Sequence, residues 1–206
     1  MQVEQEKRST WGAGEVNIMN TEKILKIIKD TESPLKRQLL MTALISKLLE
    51  QKGKDVPVII GGCALAYYSR EVYFTSDIDL AYSDREALDS VLKDIGFKQE
   101  GRYWIHDELM LVVEVPASVL IEENSTLEIV EFDMDIQCSI IGIEDLIIDR
   151  LNACKHWKYE VDCEMVELLV MKYLKEIDWA YLEKQAEKPD NDTLSELIEL
   201  KRKARQ

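Results

Sequence analysis

Val58-Ile-Ile-Gly-Gly-Cys-Ala-Leu-Ala66, followed after a short gap by Thr75-Ser-Asp-Ile-Asp-Leu80, is the stretch that decides how this chain folds. A short apolar run ending in Gly61 and Gly62 reads as a buried strand that turns into a helix, and Ala64 to Tyr68 continues that helix. Thr75 to Tyr82 then alternates polar and apolar residues, the pattern of a second strand. Residues two apart on a strand project from one face, so Asp77 and Asp79 stand side by side while Ile78 and Leu80 enter the core. Two adjacent carboxylates repel each other unless a cation neutralises them, and hard oxygen ligands at this separation suit Mg²⁺ or Mn²⁺. At the turn, glycines without a Cβ let backbone N–H groups approach a phosphate at the positive end of the helix. A glycine pair alone is ordinary turn chemistry, and two alternating aspartates alone are common at sheet edges. Their order, and the elements that carry them, give the combination its weight.

Working outward, Ile24, Leu25, Ile27 and Ile28 form a helical stripe within 20–30, and Ser33-Pro34 marks the start of a second helix running to about Gln51. A helix near 84–95 follows the aspartate strand, and strand-like pieces then come near 97–99, 103–106, 109–115, 127–130 and 134–139. From Gly142 onward the period is helical, with Asp178 to Glu187 as a short helix and Thr193 with Glu196 as a capping box for the last one. The expected architecture is therefore α+β, a mixed sheet of about five strands with flanking helices and a helical C-terminal section that closes one side of the site. It divides into a flexible leader over 1–19, an α/β core over 20–140 and packed helices over 141–206.

At 206 residues, with 46% hydrophobic and 32% charged residues, the chain has the size and composition of one domain with one substantial core. No apolar run approaches the length that crosses a bilayer, so no membrane partner is expected. Residues 1–10 are polar and mixed in charge, unlike a secretory leader, which places the protein in the cytoplasm. Cys63, Cys138, Cys154 and Cys163 show no paired spacing and read as reduced, packed thiols; Cys154, His156 and Cys163 lack a fourth ligand for zinc. The net charge of −14 disfavours a broad grip on nucleic acid and leaves room for a small local contact. The one dense basic run, Lys201 to Arg205, complements the end of a helix dipole.

The glycine pair, the short helix and Asp77-Ile-Asp79 resemble the signature of the nucleotidyltransferase superfamily with the DNA-polymerase-β-like fold. Gly61-Gly-Cys-Ala-Leu-Ala66 with Arg70 and then Thr75-Ser-Asp-Ile-Asp79 is most similar to the subgroup of abortive-infection type II toxins and related bacterial and archaeal proteins. A second region agrees: Glu144 to Lys158, then Asp162, resembles that subgroup's helical motif, with Arg150 standing where Lys is usual and Lys158 where Arg is usual. The resemblance covers roughly 56–173. It implies a nucleotidyltransferase-like sheet and a transfer of a nucleoside monophosphate from an NTP to a hydroxyl on RNA (tRNA among the acceptors), protein or a small molecule. The chain would then act as a toxin–antitoxin component, with a protein partner or a second copy of itself as the associated molecule. Asp77, Asp79 and a third carboxylate would hold Mg²⁺ or Mn²⁺, and Gly61, Gly62, Arg70, Thr75, Arg150, Lys155 and Lys158 would hold the nucleotide, with Asp162 orienting one of the cations.

Glu114 is the candidate third carboxylate, because a charge in the apolar run Leu111-Val-Val-Glu-Val115 needs a reason. Its bland reading is a solvent-facing strand end or a pair with Arg102. Asp133 and Asp135, which alternate at another strand start, are rivals that a solvated turn would also explain. Lys155 and Lys158 read equally well as surface cations on an amphipathic helix. A function from a different class stays open beside the transferase: a non-catalytic nucleotide-binding or protein-interaction module on the same fold.

Overall fold

The computed structural model describes residues 11–116 and 125–206, with residues 11–19 described by their backbone alone. Two helices open the chain, α1 (Trp11–Asp30) and α2 (Pro34–Gln51). The leader expected over 1–19 thus lies outside the described residues only up to 10; from Trp11 the chain is already helical. Ser33 caps α2 by accepting the Lys36 N–H at 3.1 Å, and Pro34 takes the first position, where its missing N–H costs nothing. From there α2 buries Leu39, Leu40, Met41, Leu44, Ile45 and Leu49.

Next come β1 (Val58–Ile59), α3 (Gly61–Ser69), β2 (Asp77–Ala81) and α4 (Arg85–Asp94). They are followed by β3 (Lys98–Glu100), β4 (Tyr103–His106), β5 (Leu111–Glu114), β6 (Leu127–Phe132) and β7 (Ile136–Ile141). Among the described residues these strands form one seven-stranded sheet in the order β3-β4-β5-β2-β1-β7-β6. The expected count of about five is too low, because every strand-like piece of the sequence forms a strand, the short exposed β3 and the largely exposed β6 at the two edges included. The sheet is mixed: β2 runs parallel to β5 and β1 parallel to β7, while β1 and β2 are antiparallel.

The last third is helical, as its period predicts: α5 (Ile143–Asn152), a π-helical turn at Ala153–Trp157, α6 (Glu160–Lys172), α7 (Trp179–Ala186) and α8 (Leu194–Ala204). Leu146, Ile147 and Leu151 of α5, Leu169 and Val170 of α6, Leu182 of α7 and Leu197 of α8 all enter the same core as the sheet. The capping box does not form. Thr193 precedes α8, but its buried hydroxyl finds no partner among the described residues, and Glu196 turns to Lys155 and Ser195 instead. Lys201 of the basic run is occupied in packing, paired to Glu183 and lying 4.4 Å from the centre of the Trp179 ring. Among the described residues no helix is long and apolar enough to cross a membrane.

The reduced-thiol expectation needs correction at one pair: Cys154 and Cys163 form a disulfide. After α5 the π turn adds a residue to the helical repeat, and Lys158, in the left-handed conformation at φ 56°, reverses the chain. Thus α6 returns along α5 and brings the two Cα atoms to 4.9 Å. Cys63 and Cys138 are free and buried, as expected.

Candidate active site

Parallel pairing of β2 with β5 sets Asp79 directly opposite Glu114 and Asp77 opposite Val112. Because partners in register share a face, Glu114 joins the two aspartates, and one oxygen from each of the three carboxylates lies within 4.8 Å of the others. Glu114 is 8% exposed, and it meets the cation of Arg102 at 3.2 Å, a side chain that is itself mostly in solvent. Glu114 thus pairs with Arg102 while its carboxylate also lies beside Asp77 and Asp79. The neighbours hold the aspartates in fixed orientations. The Thr75 hydroxyl donates to Asp77 Oδ1, and the Gly62 N–H donates to Asp79 Oδ2 at 2.9 Å.

Burial pushes the Asp79 carboxyl up to about 6, with Asp77 and Glu114 adding to the rise and the Gly62 N–H and Arg150 opposing it. A carboxylate so disposed toward its proton is one that a cation in the cluster would relieve. Three hard oxygen donors from two adjacent strands, one of them buried, fit a divalent ion of the Mg²⁺ type.

Gly61 is required here because of Asp79, whereas a Cβ on Gly62 would meet only the Thr75 side chain, at 3.1 Å. Gly61 lies at φ +58°, and a Cβ there would come within 2.5 Å of Asp79 Oδ2. Gly61→Ala is therefore strained twice over, by its backbone and by collision with a carboxylate of the cluster. We expect it to lower stability by about 1–3 kcal/mol and to weaken Mn²⁺ binding at least about tenfold, on the scale of about 1.4 kcal/mol per decade. Thermal melts and metal titration read the two effects separately. The Gly62 N–H, which the sequence reading assigned to phosphate, is engaged with Asp79 in this structure.

Across the cleft, Arg150 on α5 reaches two carboxylates: Nε donates to Asp149 at 3.1 Å and Nη1 to Asp162 of α6 at 3.0 Å. Burial works against its charge, but Asp149 and Asp162 more than offset that and hold its pKa above the ordinary value. Asp162 thus orients Arg150, in the relation the resemblance implies. The disulfide ties the π turn that follows α5 to α6 beside this pair. Lys158 is exposed on the left-handed turn, where with Arg150, Tyr73 and Tyr159 it lines a groove adjoining the cleft.

Other candidates lie elsewhere. Lys155 turns to Asp192 and Glu196, so it ties the π turn to α8 and does not line the cleft. Arg70 occupies the opposite end of α3 from the glycines, where it is the left-handed C-cap and lines a separate pocket with Tyr67, Tyr173 and Glu176. Asp133 is exposed on the turn between β6 and β7, and Asp135 pairs there with Lys47, so the solvated-turn reading describes both.

The cleft has a volume of about 620 Å³ and runs from Gly61, Gly62, Asp77 and Asp79 to Asn152, Trp157 and Asn191. That is within the usual range for a small-molecule site. One positioning residue escapes the sequence reading. Gln38 of α2 is buried, and its Nε2 donates to the carbonyls of Thr75 and Asp77 at 3.1 and 3.4 Å while Oε1 faces the Cys63 thiol at 3.7 Å. It fixes the entry into β2 against α3. Its signal was available as a polar residue in the inward stripe of α2, shared with Thr42 and Ile45. No family model matches the chain, and no curated protein matches it.

Proposed function

We propose that the protein is a metal-dependent nucleotidyltransferase with a nucleotidyltransferase-like core, moving a nucleoside monophosphate from an NTP to an acceptor hydroxyl on RNA, protein or a small molecule. The observation that carries this reading is the convergence of Asp77, Asp79 and Glu114 beside the glycine turn that opens α3. Asp77, Asp79 and Glu114 would hold Mg²⁺ or Mn²⁺, and the ion, when bound, supplies neutralisation of triphosphate charge and polarisation of the α-phosphorus.

The chain's own groups account for the rest. Arg150, braced by Asp162, offers its guanidinium to phosphate oxygens from the α5 side. Glu114, at the end of β5, would take the proton of an acceptor hydroxyl. The acceptor oxygen bonds to the α-phosphorus, the bond from that phosphorus to its bridging oxygen breaks, and pyrophosphate leaves. The apolar walls contributed by Ile60, Ile141 and Ile148 limit water, which would otherwise compete as acceptor. Calorimetric titration with non-hydrolysable NTPs, with and without Mg²⁺, tests the assignment. Binding is expected to require the metal and to vanish in Asp77→Asn/Asp79→Asn; binding that ignores both the metal and the double substitution would sink it.

A further inference from the structure

One wall of the cleft is distinguished by its unmet hydrogen-bond acceptors. Asp145, Ile148, Asp149 and Asn152 follow the helical repeat along α5, and all four line the cleft. The Asn191 amide donates Nδ2 to the Gln185 carbonyl at 2.8 Å, which leaves its Oδ1 facing Asn152. Asn152 therefore directs Nδ2 to that oxygen, also at 2.8 Å, and turns its own Oδ1 away. This chain fixes both amide orientations without any freedom to flip. Among the described residues Asn152 Oδ1, buried in the free protein, has no partner. Asp145 repeats the pattern, since Oδ1 accepts the Tyr181 hydroxyl at 2.7 Å and Oδ2 is buried without a partner among the described residues.

Two orphan acceptors on one wall of a cleft call for a ligand that brings donors, since an unmet buried acceptor is costly. A cation shared between them is excluded by spacing, because seven residues of helix separate the two positions by about 10 Å. Trp157 lines the same cleft, is 71% exposed and meets Tyr159 edge to face at 6.1 Å, so it offers a broad ring face beside these acceptors.

We propose that this wall is a nucleoside subsite selective for bases that carry an exocyclic amine, with Trp157 stacking on the base and Asn152 Oδ1 accepting an amine N–H. Asp145 Oδ2 takes a second donor from the same nucleoside, for which a ribose hydroxyl is the natural source. The inference rests on the carboxylate end being the phosphate end of a nucleotide site, and it adds the base class that site selects. Uracil and hypoxanthine present a carbonyl where cytosine and adenine present the amine, and a carbonyl facing Asn152 Oδ1 would set acceptor against acceptor.

The test compares matched pairs on the full chain. With Mg²⁺ present, CTP is expected to bind about tenfold more tightly than UTP, and ATP about tenfold more tightly than ITP. Inorganic tripolyphosphate serves as the base-free reference. Trp157→Ala is expected to weaken all four nucleotides about tenfold and leave tripolyphosphate unchanged. Asn152→Ala is expected to erase the amine preference, and if that variant does not fold, the wild-type pairs and Trp157→Ala still decide. Equal binding within both pairs, or nucleotides no tighter than tripolyphosphate, overturns the subsite.

Failure of the carboxylate reading has a different signature, namely no Mg²⁺-dependent binding of tripolyphosphate. In that case cytidine and uridine, which carry no phosphate, address the wall directly through the indole N–H resonance of Trp157. A saturable shift with cytidine and a weaker one with uridine supports the subsite, and no shift with either overturns it.

Discussion

Asp79→Asn is expected to melt at a higher temperature than the native chain at pH 7.5 while losing metal-supported transfer by on the order of a thousandfold. The two effects have one cause. Burial among Asp77 and Glu114 raises the Asp79 carboxyl from 3.8 to about 6 in the folded protein. A folded-state pKa above the unfolded one means that the native state binds the proton more tightly. The contribution to stability is fully present below about pH 4 and is lost as the pH rises through about 6. At pH 7.5 the ionised side chain therefore destabilises the metal-free protein, by on the order of 3 kcal/mol. The amide introduced by Asp79→Asn carries no charge and its oxygen can still accept the Gly62 N–H, so the variant avoids that cost. Its advantage should shrink as the pH falls from 7 to 4 and vanish where Asp79 in the native chain is protonated.

Adding Mg²⁺ should close the gap and, near saturation, reverse the ranking, because only the native chain couples folding to metal binding, worth about 2.7 kcal/mol at a hundred times the dissociation constant and about 4.1 at a thousand times. Protons compete for the same oxygen, so metal affinity of the native chain should rise with pH and level off above about 6. Melting curves at four pH values, with and without Mg²⁺, contain the whole prediction. A variant that melts below the native chain at pH 7.5 without metal would show that Asp79 is held by favourable contacts and not by the demands of a cation site.

Much of this centre is written in local sequence. Side-chain alternation places Asp77 and Asp79 on one face with no tertiary information, and Gly61 is legible because few other residues serve a left-handed turn. Glu114 is legible by chemistry alone, as a charge in an apolar strand, but its partners depend on which strand lies beside β2. That pairing joins residues more than thirty positions apart through the β3–β4 hairpin, and no local pattern specifies it. The helical candidates divide for the same reason. Arg150 and Asp162 meet because the π turn and the left-handed Lys158 fold α6 back on α5, and this geometry also makes the disulfide. Lys155 has the right charge and the right neighbourhood in sequence, yet one step around the π turn points it at Asp192 and Glu196. The orphan acceptors of Asp145 and Asn152 appear only once their engaged atoms are paired with Tyr181 and Asn191, which come from α7 and the segment after it.

Arg150→Met should separate what this guanidinium does for the fold from what it does for a ligand. The substitution keeps length and apolar bulk, but it leaves Asp162, whose side chain is 13% exposed, without its cation. Removing one member of a largely buried pair costs about 3–5 kcal/mol when desolvation is complete, and partial exposure here reduces the expected loss to about 2–3 kcal/mol. Asp162→Asn in the same chain removes the stranded charge and should recover most of that stability. It should not recover binding: both Arg150→Met and the double variant are expected to bind Mg²⁺-tripolyphosphate about 10- to 100-fold more weakly than the native chain, as befits loss of a charge-assisted fork to phosphate. Arg150→Lys, which retains charge without the fork, should fall between them and the native chain in affinity. The double variant carries the decision, because relative to Arg150→Met alone its melting temperature should rise while its affinity stays low. Full affinity in a stable double variant would make Arg150 a brace between α5 and α6, and the cation facing the triphosphate would then have to come from Lys158 on the adjoining groove.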